Sequence, residues 1–308
     1  QILEQRGRLM GITYQIFGMR PDKLFNRLLV YGGSVGVLFY ILGPFLWLVS
    51  SSFQPEQNLL DRDGSLFPTE WDFTAYRELL TGFLYDASSG IPYQARIFLR
   101  SMLNSLIVAG GVAVLSILIG SVAAYPLARM KFKGRNFLMF FILGTRLIPA
   151  IALAVPFYLM VKAVGMNDRL ETLIVINLSF ILPYVIWLLQ AYYRSIPMEL
   201  EEAARIDGCS RLGTLFRIIL PLSLPGMVST GILAFLLSWG DFFFALILTQ
   251  SQSSFTSTVV ASMFATDVDV KYVSIICAGV LSVIPPVSFA LIFQRYIMSG
   301  LLSGAAKG

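Results

Sequence analysis

Arg146 and Asp241 are the residues best placed to do chemistry, because each falls inside a long apolar run. A charge in such a run is costly unless it is paired or wet. It therefore marks a path for a polar solute, a structural pair, or groups each bonded to a neighbouring helix. A second candidate is Ser34 in "GGSVG" (32–36), which fits the hydrolase pattern G-x-S-x-G. The chain has no histidine to activate it. The same residues fit G-x-x-x-G, a helix-packing surface, and packing is the better reading. Lack of histidine also removes most zinc sites, so no metal is expected. Cys209 and Cys277 lie in segments placed on different sides of a membrane or within it, so no disulfide is expected. "NLS" at Asn177 fits a glycosylation pattern but lies in an apolar run and is discounted.

The elements that must position these residues are membrane spans. The chain is 56% hydrophobic and 13% charged, where a soluble domain carries about 25% charge. Its apolar residues cluster into six runs, at 28–50, 99–127, 137–161, 172–193, 223–249 and 273–294. Each is long enough to cross a hydrocarbon core of about 30 Å. The first follows Arg27 without a small-residue cleavage pattern, which reads as a retained signal anchor. With the N-terminus inside, 15 of the 23 Lys and Arg residues fall on the cytosolic side and seven outside, Arg146 being within a span. That excess predicts an all-α membrane protein with both ends inside. The expected organisation is a cytosolic segment 1–27, a first span 28–50, an outer loop 51–98, a core 99–294 and a cytosolic tail 295–308. The outer loop carries seven acids and a "WDFTAY" stretch that suits a small cap. Residues 1–26 interleave apolar and basic residues, fitting either contact with inner-leaflet lipid or a solvated tail. Prolines at 44, 126, 149, 156, 183, 285 and 286 lie within spans and read mostly as kinks.

Counted from the cytosol, Arg146 sits about nine residues into the third span and Asp241 about 18 into the fifth. That is roughly 14 Å against 27 Å of depth, so contact would need tilt or a long Arg reach.

Between the fourth and fifth spans lies a charged stretch, "RSIPMELEEAARIDGCSRLGTLFRIILP" (194–221). Pro197 suits a first helical turn, and Glu199, Glu201 and Glu202 put negative charge near that helix start. Ala203 and Ala204 favour helix and allow close approach. Gly208 falls where a left-handed residue would end the helix, and Ser210 can cap a second one. Leu220-Pro221 ends that second helix before the fifth span. The spacing predicts helix, turn, helix on the cytosolic face. An amphipathic segment lying on the lipid surface fits the same residues.

Glu202-Ala203-Ala204, Gly208, Ile218 and Leu220-Pro221 at these spacings resemble the EAA loop of ABC-importer membrane subunits. "EAARIDG", including Asp207, is similar to the carbohydrate-uptake version. The likeness extends to "NSLIVAGGVAVLSILIGSVAAYPLARMKFKGR" (104–135), "RLIPAIALAVPFYLM" (146–160), "SWGDFFFALILT" (238–249) and "GLLSGAAKG" (300–308). These resemble the shorter permease of maltose-type importers. The first span and outer loop match in general plan only.

The resemblance implies a multi-pass protein of a bacterial inner membrane. Its EAA loop (195–221) would carry a coupling helix seated in a cleft on a separate P-loop ATPase. Glu202, Ala203, Ala204, Asp207, Gly208, Leu220 and Pro221 would form that contact and its turn. It also implies a second, non-identical permease, two ATPase subunits, an external solute-binding protein and membrane lipid as partners. Arg146, Trp239 and Asp241 would line a sugar pathway, with the Trp239 ring stacking on a sugar face. Arg146 would suit a carboxylate-bearing sugar such as an alginate oligomer. The chain contains no Gly-Lys dipeptide and hence no Walker motif. ATP and Mg would be bound by the partner, and this chain is expected to be neither an enzyme nor a nucleic-acid binder. A stand-alone secondary transporter or channel is the competing class. It would need Arg146 and Asp241 for ion coupling and would have no use for the EAA loop.

Overall fold

A computed structural model describes residues 21–60, 67–265 and 270–305. The expectations for residues 1–20 and for the final three residues lie outside that set. The described chain is helical, and its only β pairing is an isolated bridge between Ala265 and Val270. Two compact units are resolved, residues 1–71 and 72–308.

In the first unit, α1 (Pro21–Ser51) carries the first apolar run and passes through Pro44. Ser34 donates to the Val30 carbonyl of its own helix at 2.7 Å, as a helical hydroxyl without catalytic partners does. A short α2 (Glu56–Leu60) follows, and Phe53 packs against Trp71 at 5.4 Å.

The second unit begins earlier than the apolar runs predict. Residues 72–98 belong with the core, through α3 (Thr74–Thr81) and the start of α4 (Tyr93–Arg129). Ala95, Ile97 and Phe98 are buried and extend the helix beyond its apolar centre. The chain after α3 approaches α4 so closely that a Cβ at Gly82 would stand 2.9 Å from the Ala95 backbone. The second half of "WDFTAY", Thr74–Tyr76, thus begins α3, with the Asp72 carboxylate accepting from the Thr74 N–H at 2.8 Å.

Helix α4 packs on α7 (Leu170–Ser195) and on α11 (Leu224–Trp239), and α11 packs in turn on α14 (Tyr272–Ala305). Small residues allow the contact: a Cβ at Gly120 would meet Val185 at 2.8 Å, and one at Gly226 the Tyr192 ring at 2.3 Å. Where lipid is as apolar as the side chains, such close packing and buried hydrogen bonds hold helices together. Gln190 donates to the Leu127 carbonyl at 3.0 Å, and the buried Tyr193 hydroxyl reaches the Ser121 carbonyl at 3.4 Å.

Four helices are long and apolar enough to cross a membrane, and two bent pairs could each make a further span. The third apolar run is not one helix. It forms α5 (Arg135–Gly144), two 3-10 turns and α6 (Ala154–Ala163), with an 85° bend between its halves. Pro149 explains the break, because it forces Ile148 into an extended conformation, at ψ 120°. The fifth run is also broken. A 77° bend separates 211–222 from α11, and after Trp239 the chain unwinds before α12 (Phe243–Leu248).

Candidate functional site

On the face assigned to the cytosol, α8 spans Met198–Ile206, with Pro197 as its N-cap rather than in its first turn. Gly208 has φ +85°. Its N–H donates to the Arg205 carbonyl at 3.1 Å, while the Cys209 N–H reaches back to Ala204 at 2.9 Å. This pair of bonds is the Schellman closure, which needs a left-handed residue at this point. Ser210 then caps α9 (Arg211–Thr214), its hydroxyl accepting from the Gly213 N–H at 3.1 Å. Leu220-Pro221 does not end the second helix. A π-turn (Leu215–Ile219) runs on into α10 (Leu220–Leu222), and the bend falls at Ser223.

The nine residues of α8 divide by face. Glu202, Ala203 and Ile206 are exposed, Ile206 at 86%, as is Asp207 just past the helix end, whereas Glu201 and Ala204 are buried. Glu201 accepts a hydrogen bond from the Tyr125 hydroxyl and forms an ion pair with Arg129, whose Nε lies 3.4 Å away. Arg129 also donates to the Ile196 carbonyl at 2.9 Å. These three side chains were not among the sequence candidates. Glu201 reads as one of three acids at a helix start, and Arg129 as one of the inner basic residues. Tyr125 and Arg129 stand four residues apart near the end of a span, and that spacing is the signal that marks them.

Arg146 and Asp241 line one cavity of about 450 Å³, together with Asn177, Phe180, the unwound Gly240–Phe242 and the first two residues of α12. The breaks in the third and fifth runs bring the two depths together. The pair does not form a salt bridge. The Asp241 carboxylate accepts from Asn177 at 3.3 Å, and the Asp241 backbone carbonyl accepts from the Thr258 hydroxyl at 3.0 Å. The Arg146 guanidinium lies 5.6 Å from the Tyr184 ring centre and has no carboxylate partner among the described residues. Asn177, discounted as a glycosylation site, thus anchors one wall of the cavity.

The structure does not bring Trp239 to this cavity. Its ring stacks on Phe235 at 5.6 Å among Ala109 and Phe289, and its N–H donates to the Ser282 carbonyl at 3.1 Å. A buried indole with a bonded N–H serves packing, leaving no free face for a sugar.

A third cluster lies at the opposite ends of the helices. Asp168, at φ +59°, accepts from the N–H groups of Gln250 (2.7 Å) and Ser251 (3.0 Å) and from the hydroxyls of Ser251 and Ser254. Burial acts to raise its carboxyl, but these hydrogen bonds outweigh burial and hold it below the usual range. Asn104 donates to the carbonyls of Phe255 (2.9 Å) and Gln252 (3.3 Å), and Ser105 accepts from the Ser257 N–H at 2.9 Å. Together they fix the turn after α12 and the start of α13 (Ser257–Ser262).

Comparison with known proteins bears on these clusters. Residues 116–302 match the family model described as binding-protein-dependent transport system inner membrane component. The chain is 33% identical over 288 residues to the trehalose/maltose transport system permease protein MalG of Thermococcus litoralis, covering 93% of this chain and 99% of that one. It is 33% identical over 274 residues to the trehalose transport system permease protein SugB of Mycobacterium tuberculosis, covering 88% and 94% respectively. Among solved structures, it is similar in fold to a chain of a bacterial ABC transporter involved in import of the acidic polysaccharide alginate. That match has TM-score 0.70 at 23% identity and covers 90% of this chain and 98% of the other.

Proposed function

The chain belongs to the family of binding-protein-dependent transport system inner membrane components, and from that premise we propose that it is one permease half of an ATP-driven sugar importer. It crosses a bacterial inner membrane six times, the third span formed by α5 and α6 and the fifth by α11 and α12, with both termini in the cytosol. Helix α8 is the coupling helix, and its exposed residues Glu202, Ala203 and Ile206, with Asp207 just past its end, face a P-loop ATPase. Gly208 sets the turn behind it, and Leu220-Pro221 lead into the fifth span. The observation that carries this reading is α8 itself. A charged helix closed by a left-handed glycine stands between two apolar segments, with one face held by the bundle and the other left open.

The assembly is completed by a second permease, two ATPase subunits that bind ATP and Mg, and an external solute-binding protein. ATP-driven closure of the ATPase pair moves the coupling helices and shifts the spans between inward-facing and outward-facing states. The cavity of Arg146 and Asp241 is this chain's wall of the pathway. The similar permeases named for trehalose and maltose support a sugar as the solute. Arg146, a cation without a carboxylate partner among the described residues, would favour an acidic saccharide such as an alginate oligomer.

The test is purification of the tagged chain from its host in mild detergent, with partners identified by mass spectrometry and uptake measured after reconstitution. A P-loop ATPase, a second permease and ATP-dependent sugar uptake are expected. A chain that purifies alone in several detergents and moves solute without ATP would make it a stand-alone transporter instead.

A further inference from the structure

The role of α8 leaves open how its motion reaches the far side of the membrane. Covalently, α8 continues from α7 through Ile196 and Pro197. The contacts give a second route, through α4. At one end of α4, Tyr125 and Arg129 hold Glu201 of α8, and the Tyr125 and Glu201 side chains are buried. At the other end, Asn104 holds the carbonyls of Gln252 and Phe255, and Ser105 holds the Ser257 N–H. Gln94, nearer the helix start, donates to the Met263 carbonyl at 2.9 Å.

Between these ends α4 is one unbroken helix of 37 residues. Its length is about 55 Å, enough to pass through both faces of a bilayer. Of the elements around it, α7 is likewise continuous, whereas the third run bends by 85° and the fifth unwinds at Gly240–Phe242. A bent or unwound element absorbs displacement, whereas a continuous helix fixed at both ends transmits it.

We infer that α4 is a rod that carries movement of α8 to the outer turn 252–263, with Tyr125, Arg129 and Glu201 as its inner joint. This rests on the importer reading. The two adjacent acids of α8 then have opposite tasks. Glu202 faces outward to the driving partner, and Glu201 faces inward to the driven helix. Tyr125, Arg129 and Glu201 are positioning residues and do not touch the solute. The joint is an ion pair with one hydroxyl donor, which holds α8 by direction as well as by proximity.

The test uses the whole importer in proteoliposomes, with the chain carrying Tyr125→Phe, Glu201→Gln or both. An environment-sensitive dye is placed on the outer turn at exposed Gln252→Cys, which keeps the backbone carbonyl that Asn104 holds, with Cys209 replaced. Three quantities are read: yield of assembled complex, ATP hydrolysed per sugar moved, and the ATP-dependent dye signal. Yield and hydrolysis should persist. The dye signal should fall, and ATP consumed per sugar rise, by about tenfold, the middle of the usual range for coupling between sites. Tyr125→Phe removes one hydroxyl, so it tests the joint even if Glu201→Gln impairs folding. An unchanged signal and ratio in both variants would overturn the proposal. So would parallel loss of yield, hydrolysis and uptake, the mark of a merely structural contact. If the unmodified chain does not assemble with an ATPase, the importer reading itself fails and the rod goes with it.

Discussion

Gly208 shows how one backbone angle can decide a site. Its φ of +85° is strained for any L side chain, although nothing stands within 4 Å of where a Cβ would be. Gly208→Ala therefore costs about 1–2 kcal/mol from conformation alone. Gly208→Asp adds a negative charge at a helix C-terminus, where the dipole disfavours it. Both variants should reach the membrane in normal amounts, checked by immunoblot, and fail in sugar uptake. Asp168 makes a different prediction. Its carboxyl is held below the ordinary Asp range, so its contribution to stability is present above about pH 3.9. That contribution is lost as pH falls through the lower folded value. Hydrogen exchange at Gln250 and Ser251 should rise over that acidic window in the unmodified chain, and at neutral pH in Asp168→Ala. Gly208 and Ser210 were legible in the sequence because a cap needs a fixed residue at a fixed offset. Asp168 was not, because its partners lie 82 to 86 positions away. Nor was the division between Glu201 and Glu202, which depends on how a nine-residue helix is rotated against its neighbours.

Hydropathy reports the length and apolarity of a run but says nothing of its continuity. The runs at 99–127 and 172–193 fold as single helices, whereas those at 137–161 and 223–249 break. The cause of one break, Pro149, is visible in the sequence. The consequence was not, since separate depths along two straight helices kept Arg146 and Asp241 apart, and the two breaks bring them to one cavity. Trp239 illustrates the opposite error, because an aromatic beside a charged residue reads as a ligand platform until its neighbours are known. Close packing is the matching element-scale property. Gly226→Ala would push a methyl group to within 2.3 Å of the Tyr192 ring. It should destabilise the α7–α11 contact by about 1–3 kcal/mol, the usual cost of overpacking. The thermal midpoint of the purified complex should fall, and Tyr192→Leu in the same chain should recover part of the loss.

At the scale of the whole molecule, the chain presents one open face of α8 and a cavity in which Arg146, Asn177 and Asp241 stand among aromatic side chains, and on the proposed reading each is half of something. A permease half needs a driver at the first and a partner wall at the second. The family membership was legible because the EAA spacing records that shared need. The sugar was not, because selection is divided among chains. The central claim is that the outer face of α8 seats an ATPase, and site-specific photo-crosslinking in cells tests it most directly. A photoreactive residue would replace Glu202, exposed Ile206 or, as the inward control, Ala204, which is 3% exposed. Glu202 and Ile206 should each yield an adduct with a P-loop ATPase, while Ala204 links only within its own chain. Adducts with lipid alone at Glu202 and Ile206 would contradict the account and make α8 a surface helix of the membrane.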